Sequence, residues 1–376
     1  MARGLDARAL VAGVPSDRAA VGLSVAVGGS GLAPDACATG QADVRTHRPL
    51  LPGTLLHACS MSKLVAAVTV LRLVELGTLD LDTDASRYLD VPLLRADDAH
   101  DRPVTLAHLL SHQAGLVDPD AAGEPVVAGA SPDLTALLNE GVVPGAGPVA
   151  VTRPPGQEFV YSDVGYWLVE HAVTRATGRP YPDVVDDLVL APLGLTGPTP
   201  VPAAESAPLA GTHAPTAWAY VDAGTGGRLD RVVDSGAAVG HGTDGTALDD
   251  ERAVYRGLAA AGLWATPTAL LRLLVDLVDS WHGSSDGVLT PASARTLWSA
   301  PGPTRHAALG AFLLRHGTET VVQTHGWGAG FQGIARAHLD RRSAVVAMMC
   351  SDPGTDQDGS AVGAVADACT EAPGSS

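Results

Sequence analysis

The sequence predicts an α+β fold: an antiparallel sheet formed by both chain ends and flanked by helices, with an inserted, mainly helical domain. Three observations lead there. Residues 20–29 (AVGLSVAVGG) alternate and then turn, as a strand entering a hairpin does. Near the other end Glu319–Gln323, Ile334–His338 and Ala344–Met349 also read as strands. Between the two groups the apolar residues recur at helical spacing. The sheet domain is expected over residues 1–76 and 255–376, and the helical domain, with long loops, over 77–254.

A second strand is expected near Ala36–Val44. From Ser60 to Leu76, the apolar residues Leu64, Ala67, Val68, Leu71 and Val74 share one helical face, and Gly77 stands where a C-terminal cap belongs. Further helical patterns cover Thr105–Ser111, Tyr166–Thr177 and Pro267–Val278. The stretches 117–155 and 196–250, rich in Pro, Gly and Ala, are expected to be long loops or small inserted elements around a site. A glycine-rich turn is expected at Gly326–Gly333, and a final helix with a disordered end after Asp352.

Composition narrows the function. A net charge of −17 repels phosphate backbones and anionic membranes, so neither nucleic acid nor membrane is an expected partner. No apolar run approaches the roughly 20 residues that cross a bilayer. The first thirty residues scatter Arg and Asp among apolar positions and lack the hydrophobic stretch of a secretory signal, so the expected location is cytoplasmic. Four cysteines, at 37, 59, 350 and 369, form no CxxC pair and have no histidine at zinc spacing. They read as buried thiols, and neither metal nor cofactor is expected. His108 and His112, four residues apart on a helix, imitate a metal pair, but no third ligand stands nearby in sequence and packing roles are expected.

One residue carries most of the chemical information. Lys63 is the single lysine among 24 lysine and arginine residues, and it stands three positions after Ser60 in Ser60-Met61-Ser62-Lys63. Arginine replaces lysine wherever a solvated charge suffices, but it cannot lose its proton near neutral pH, whereas a desolvated lysine can. The GC-rich coding bias suggested by abundant Ala, Gly, Pro and Arg accounts for part of this avoidance. Ser60 falls at a helix N-terminus, where free N–H groups and the helix dipole favour negative charge, and a residue at i+3 returns to the same face. Ser60 and Lys63 are therefore expected to be neighbours.

These residues resemble the serine β-lactamase and penicillin-binding-protein superfamily, on the branch holding class C β-lactamases, D-aminopeptidases and related carboxylesterases. Its S-x-x-K motif matches Ser60–Lys63. Gly22–Val27 looks like the opening strand of that family, and Leu106–Leu116 (LAHLLSHQAGL) resembles its HLLSHTSGL stretch. Pro155–Tyr166 resembles its PG..F.YSN.GY run, so the Y-x-N motif falls on Tyr161 with Asp163 in place of asparagine. The K/H-[TS]-G motif aligns with Thr324-His325-Gly326, where the leading cation is gone.

The resemblance implies acyl transfer. Ser60 would attack a carbonyl, Lys63 and Tyr161 would manage its proton, and the N–H groups of Ser60 and Trp327 would hold the oxyanion. The Trp327 indole is either a wall of the acyl pocket or a packing aromatic, and strand alternation turns His325 away from the side that Thr324 faces. An Asp163 carboxylate near Lys63 favours the charged lysine, which would leave Tyr161 as the better base, and it disfavours anionic substrates. The expected substrate is a small-molecule ester or amide, with an esterase-like serine hydrolase or acyltransferase as the leading activity. A β-lactamase or D-amino-acid peptidase using His325 or an arginine as its cation is an alternative, and so is a non-catalytic binding protein. The sequence leaves the acyl group, its acceptor and the oligomeric state open.

Overall fold

The computed structural model describes residues 6–18, 20–90, 94–95, 102–123, 150–195, 218–220, 236–248, 255–284 and 286–370. The chain opens with α1 (Ala7–Ala12), too short for any periodic signal and capped by the Asp6 carboxylate, which accepts from the N–H groups of Arg8 and Ala9. Strands β1 (Gly22–Gly29), β2 (Asp35–Asp43) and β3 (Arg48–Pro49) follow as an antiparallel set. Then β4 (Leu56–His57) runs into a 3-10 turn, Cys59–Met61, and helix α2 (Ser62–Glu75). Gly77 adopts a positive φ of 72° just past the end of α2, where a side chain would be strained.

The middle of the chain supplies β5 (Leu94–Arg95), α3 (Leu106–Leu110), β6 (Ala150–Val151), α4 (Asp163–Thr177), α5 (Tyr181–Val185) and β7 (Trp218–Tyr220). After these come α6 (Leu258–Ala261), β8 (Leu263–Ala265), α7 (Pro267–Trp281) and α8 (Pro291–Leu297). The C-terminal part is a meander of β9 (Phe312–His316), β10 (Glu319–Gly328), β11 (Phe331–His338) and β12 (Ser343–Met349), closed by α9 (Ala361–Thr370). Most of the expected loop stretches 117–155 and 196–250, and the end of the tail, lie outside the described residues.

The main sheet has the order β3-β2-β1-β12-β11-β10-β9. Its centre is the antiparallel pairing of β1 with β12, which puts Val25 opposite Ala347 and joins the two ends of the chain. Every residue of β1 is buried because both faces are covered. Leu23, Val25 and Val27 pack with Ala7 and with Val362, Val365 and Ala366 of α9. The alternate residue Ala26 belongs to the other core, with Leu270, Leu271 and Leu274 of α7. Gly28 comes so close to α7 that a Cβ there would lie 3.2 Å from the Leu271 side chain. Thus the fold is mixed helix and antiparallel sheet, as the sequence predicts.

The C-terminal hairpin corrects one expectation. Gly326–Gly333 is not a long turn: β10 continues to Gly328, β11 starts at Phe331, and only Ala329 and Gly330 connect them. The glycines inside β10 have a packing reason. A Cβ on Gly326 would stand 2.4 Å from the Ala58 carbonyl, and one on Gly328 would stand 2.9 Å from Cys59 Sγ. The far end of β10 therefore lies directly on the turn that carries Ser60. Among the described residues no helix is long and apolar enough to cross a membrane.

Candidate active site

Ser60 sits in the turn between β4 and α2, held by its neighbours. Cys59 takes a positive φ of 49°, a strain of about 1 kcal/mol or more for a residue with a side chain. The Ser62 hydroxyl stabilises that shape, donating to the Cys59 carbonyl at 2.6 Å and accepting from the Leu263 N–H at 3.1 Å. On the opposite side Cys59 Sγ lies 3.1 Å from His57 Nδ1, and His57 Nε2 lies 2.7 Å from the Ala261 carbonyl. Burial drives the His57 pKa down to about 4, so its ring is neutral and Nδ1 is free to accept the thiol proton.

One turn into α2, Lys63 extends its ammonium back to the serine. Nζ donates to Ser60 Oγ at 3.0 Å and to the Ala260 carbonyl at 2.9 Å, and it pairs with Asp163 Oδ1 at 2.6 Å. The first two are hydrogen bonds and the third is an ion pair. The Tyr161 hydroxyl donates to the same Ser60 oxygen at 2.8 Å. Nζ lies 5.0 Å from the ring centroid of Tyr161 and 5.4 Å from that of Tyr166.

Helix α4 supplies the acid. Its cap residue Ser162 accepts from the Gly165 N–H at 2.8 Å and donates to Asp118 at 2.5 Å. The second Asp118 oxygen accepts from the N–H groups of Asp163 and Val164. The first turn of α4 thus has its free donors satisfied, and Asp163 is fixed facing Lys63.

The charges follow from these distances. Burial pulls the Lys63 pKa down, but Asp163 and Tyr161 push it up by more, so the lysine stays protonated. The Tyr161 phenol is pushed up by burial and by Asp163, against the opposing pull of Lys63. Although 39% of the residue faces solvent, its hydroxyl end is enclosed by Ser60 and Lys63. His112 is driven well down by burial and by Lys63, and its Nδ1 accepts from the Ser162 N–H at 3.1 Å. It is a neutral ring stacked on Tyr161, with 4.3 Å between centroids.

Thr324 is buried and His325 half-buried, and both line a cleft with Ser60, Lys63 and Tyr161. The cleft holds about 280 Å³ of space, part of it open to solvent. Gly326 and Gly328 face Cys59, so Trp327 between them points to the other side of β10. It is 48% exposed, and its side chain is not part of the cleft wall. His325 stacks on Phe312 at 5.0 Å with their planes 7° apart. Phe312 pairs with Gln323, which shares the His325 face of the strand, so His325 and Thr324 project to opposite faces.

Of the residues singled out in the sequence, Lys63 and Tyr161 converge on the Ser60 oxygen and Asp163 pairs with Lys63 behind it, whereas Gly326 serves as backbone support. His108 and His112 serve separate ends. His108 Nδ1 lies 3.3 Å from the Thr105 N–H as part of a helix cap, while His112, assigned only to packing by the sequence, reaches the cleft. Phe159, Phe312, Asp118 and the Ala260 carbonyl are further members that sequence reasoning missed. Phe159 alone had a signal, two residues before Tyr161 in the matched run. Among the described residues no group of three or more His, Cys, Asp or Glu could hold a metal ion.

A family model described as Beta-lactamase matches residues 7–370. Esterase EstB of Burkholderia gladioli is 32% identical over 169 residues, 42% of this chain and 41% of that protein. The D-alanyl-D-alanine-carboxypeptidase/endopeptidase AmpH of Escherichia coli K12 is 25% identical over 155 residues, 41% of this chain and 39% of that protein. The chain thus matches about two fifths of the length of these curated relatives. Among solved structures, a D-amino acid amidase from Ochrobactrum anthropi SV3 complexed with L-phenylalanine amide superposes with a TM-score of 0.69, at 22% identity over 96% of this chain and 98% of that one. The octameric penicillin-binding protein homologue from Pyrococcus abyssi gives 0.68, at 18% identity over 90% of this chain and 72% of that one.

Proposed function

The chain belongs to the beta-lactamase family, and from that premise we propose that it is a serine hydrolase or acyltransferase that forms an acyl-Ser60 intermediate and acts on uncharged esters. The observation that carries this reading is the convergence of the Tyr161 hydroxyl, at 2.8 Å, and the Lys63 ammonium, at 3.0 Å, on Ser60 Oγ. A serine alone is a weak nucleophile and needs an adjacent group to take its proton.

Lys63 is not that base in its resting state, because the Asp163 carboxylate keeps it charged. Its role is to hold Ser60 and to stabilise a phenolate on Tyr161. Once Tyr161 has given its proton to solvent water, the hydrogen bond to Ser60 reverses. The serine O–H donates to the phenolate, Oγ attacks the carbonyl carbon, and the proton passes to the departing alkoxide through Tyr161. Water or a second alcohol then repeats the sequence on the acyl-enzyme. The backbone N–H groups of Ser60 and Trp327 are the proposed oxyanion donors; losing one such donor typically costs about 3 kcal/mol.

Substrate charge follows from the cleft walls. Lys63 is the one lysine or arginine among the lining residues, and Asp163 neutralises it. Thr324 offers only a hydroxyl, and burial keeps His325 down, so its ring is a poor cation. A substrate carboxylate would find no free positive charge among these residues, which favours neutral esters over β-lactams or peptides ending in a carboxylate. The esterase relative supports the same choice. A fluorophosphonate probe followed by peptide mapping tests the reading: the adduct is expected on Ser60, and a protein that takes no label there is not a serine hydrolase of this kind.

A further inference from the structure

Phenylalanine is scarce in this chain, with three in 376 residues. Phe331 is fully buried, but Phe159 and Phe312 are left half-buried on the wall of the same cleft. Leaving apolar rings in water is unfavourable, at about 25 cal/mol for each Å² that could have been covered. Two of the three phenylalanines are thus only partly covered by the protein itself and have ring surface turned to the cleft.

These rings form a continuous ladder in which histidine and phenylalanine alternate. It begins at His112, which stacks on Tyr161 at 4.3 Å and meets Phe159 edge-on at 5.6 Å. Phe159 contacts His306 at 5.2 Å and Phe312 at 6.1 Å. Phe312 then stacks on His325 at 5.0 Å. The loop beside it is made of Ala307, Ala308, Gly310 and Ala311, whose small side chains leave the ring faces open. Gly310 lies so close to α2 that a Cβ there would stand 2.6 Å from the Lys63 carbonyl, which holds this loop against the site. Burial lowers the pKa of His112 and of His325, so these two rings face the cleft as neutral aromatic surfaces beside the phenylalanines.

Its position decides which part of a substrate it touches. The first ring of the ladder, His112, stacks on Tyr161, the residue that passes the proton to the departing group. We propose that this His/Phe ladder is the leaving-group subsite, and that the enzyme takes esters whose alcohol carries a flat, uncharged aromatic ring one or two bonds from the oxygen. The proposal rests on Ser60 being the acyl-forming nucleophile. In the step concerned the bond from Ser60 Oγ to the carbonyl carbon forms and the bond from that carbon to the alcohol oxygen breaks. The aromatic alcohol leaves with the proton that Ser60 gave up. Rings in offset or edge-to-face contact gain attraction beyond the area they bury, which a saturated ring of the same size does not.

The test pairs benzyl acetate with cyclohexylmethyl acetate, which share an acyl group, a primary alkanol and nearly equal size. The expected kcat/KM ratio favours benzyl by roughly threefold to tenfold, and Phe312→Leu and Phe159→Leu each bring it toward one. A wild-type ratio near one, or a ratio that neither substitution moves, overturns the proposal. A second measurement separates this failure from failure of the hydrolase reading. Binding of N-benzylacetamide and N-(cyclohexylmethyl)acetamide to Ser60→Ala protein, followed by ligand-observed NMR, reads the ladder without chemistry. Preference for the benzyl amide in a protein that hydrolyses neither ester would uphold the aromatic subsite and reject the hydrolase. Equal binding of the two amides would reject the subsite.

Discussion

Asp163 holds its carboxylate 2.6 Å from the Lys63 ammonium, in a chain with no other lysine. That contact decides which group beside Ser60 can lose a proton. Burial by itself would ease deprotonation of the lysine, but Asp163 and Tyr161 together outweigh it and keep the lysine charged. The same carboxylate resists ionisation of Tyr161.

Replacing Asp163 by asparagine removes one negative charge from the cluster without changing its shape. Loss of a proton from Tyr161 or Lys63 then becomes easier, and a base with a lower pKa is ready at lower pH. The rising limb of kcat/KM against pH for a neutral ester is expected to move to lower pH in Asp163→Asn. A limb that stays in place or moves upward contradicts this electrostatic account.

Tyr161→Phe keeps the ring stacked on His112 and removes only the hydroxyl that lies 2.8 Å from Ser60 Oγ. Loss of a positioned proton carrier should lower kcat about 10²- to 10⁴-fold, with little change in KM. Steady-state kinetics on one ester decides the matter. A fall confined to KM would make Tyr161 a binding residue.

Gly326→Ala tests how β10 is seated. The new methyl would stand 2.4 Å from the Ala58 carbonyl, so the strand and the Ser60 turn would have to part. A loss of stability of roughly 1–3 kcal/mol is expected, together with a lower kcat as the Trp327 N–H, the proposed oxyanion donor, is displaced. Thermal melts and kinetics would read both. An unchanged melting temperature and rate would mean that the strand has slack.

His57 makes a prediction about pH and folding. Its folded pKa is lowered from 6.5 to about 4 by burial. Between these values the unfolded chain binds a proton that the folded protein refuses, so stability is full above pH 6.5 and falls as the pH drops toward about 4. The ring is 2% exposed, and a shift of this size corresponds to about 3 kcal/mol. Denaturant melts should show the decline over this window, with a shallower slope in His57→Gln. Equal slopes in the two proteins would contradict it.

Several parts of the fold were legible because they depend on local pattern. The alternation in Gly22–Val27 and the helical spacing from Leu64 to Val74 survive any tertiary context, and both elements stand where expected. The Ser60–Lys63 contact was legible for the same reason, since i and i+3 meet on any helical turn. What failed depended on contacts distant in sequence. Gly326 and Gly328 read as a turn because glycine is usually freed for one, yet they are glycines because β10 lies on Ala58 and Cys59, some 270 residues earlier in the chain. His112 read as packing because nothing local reveals that its ring stacks on Tyr161, and Asp118 carries no pattern at all. The aromatic wall was invisible because its rings come from four separate segments.

The central claim is that Ser60 becomes acylated, and intact mass measures it directly. Purified protein exposed briefly to p-nitrophenyl acetate, beside Ser60→Ala treated the same way, should gain one acetyl group or release nitrophenol rapidly, and the variant should do neither. An adduct that persists in Ser60→Ala, or no adduct and no turnover in either protein, would contradict the account.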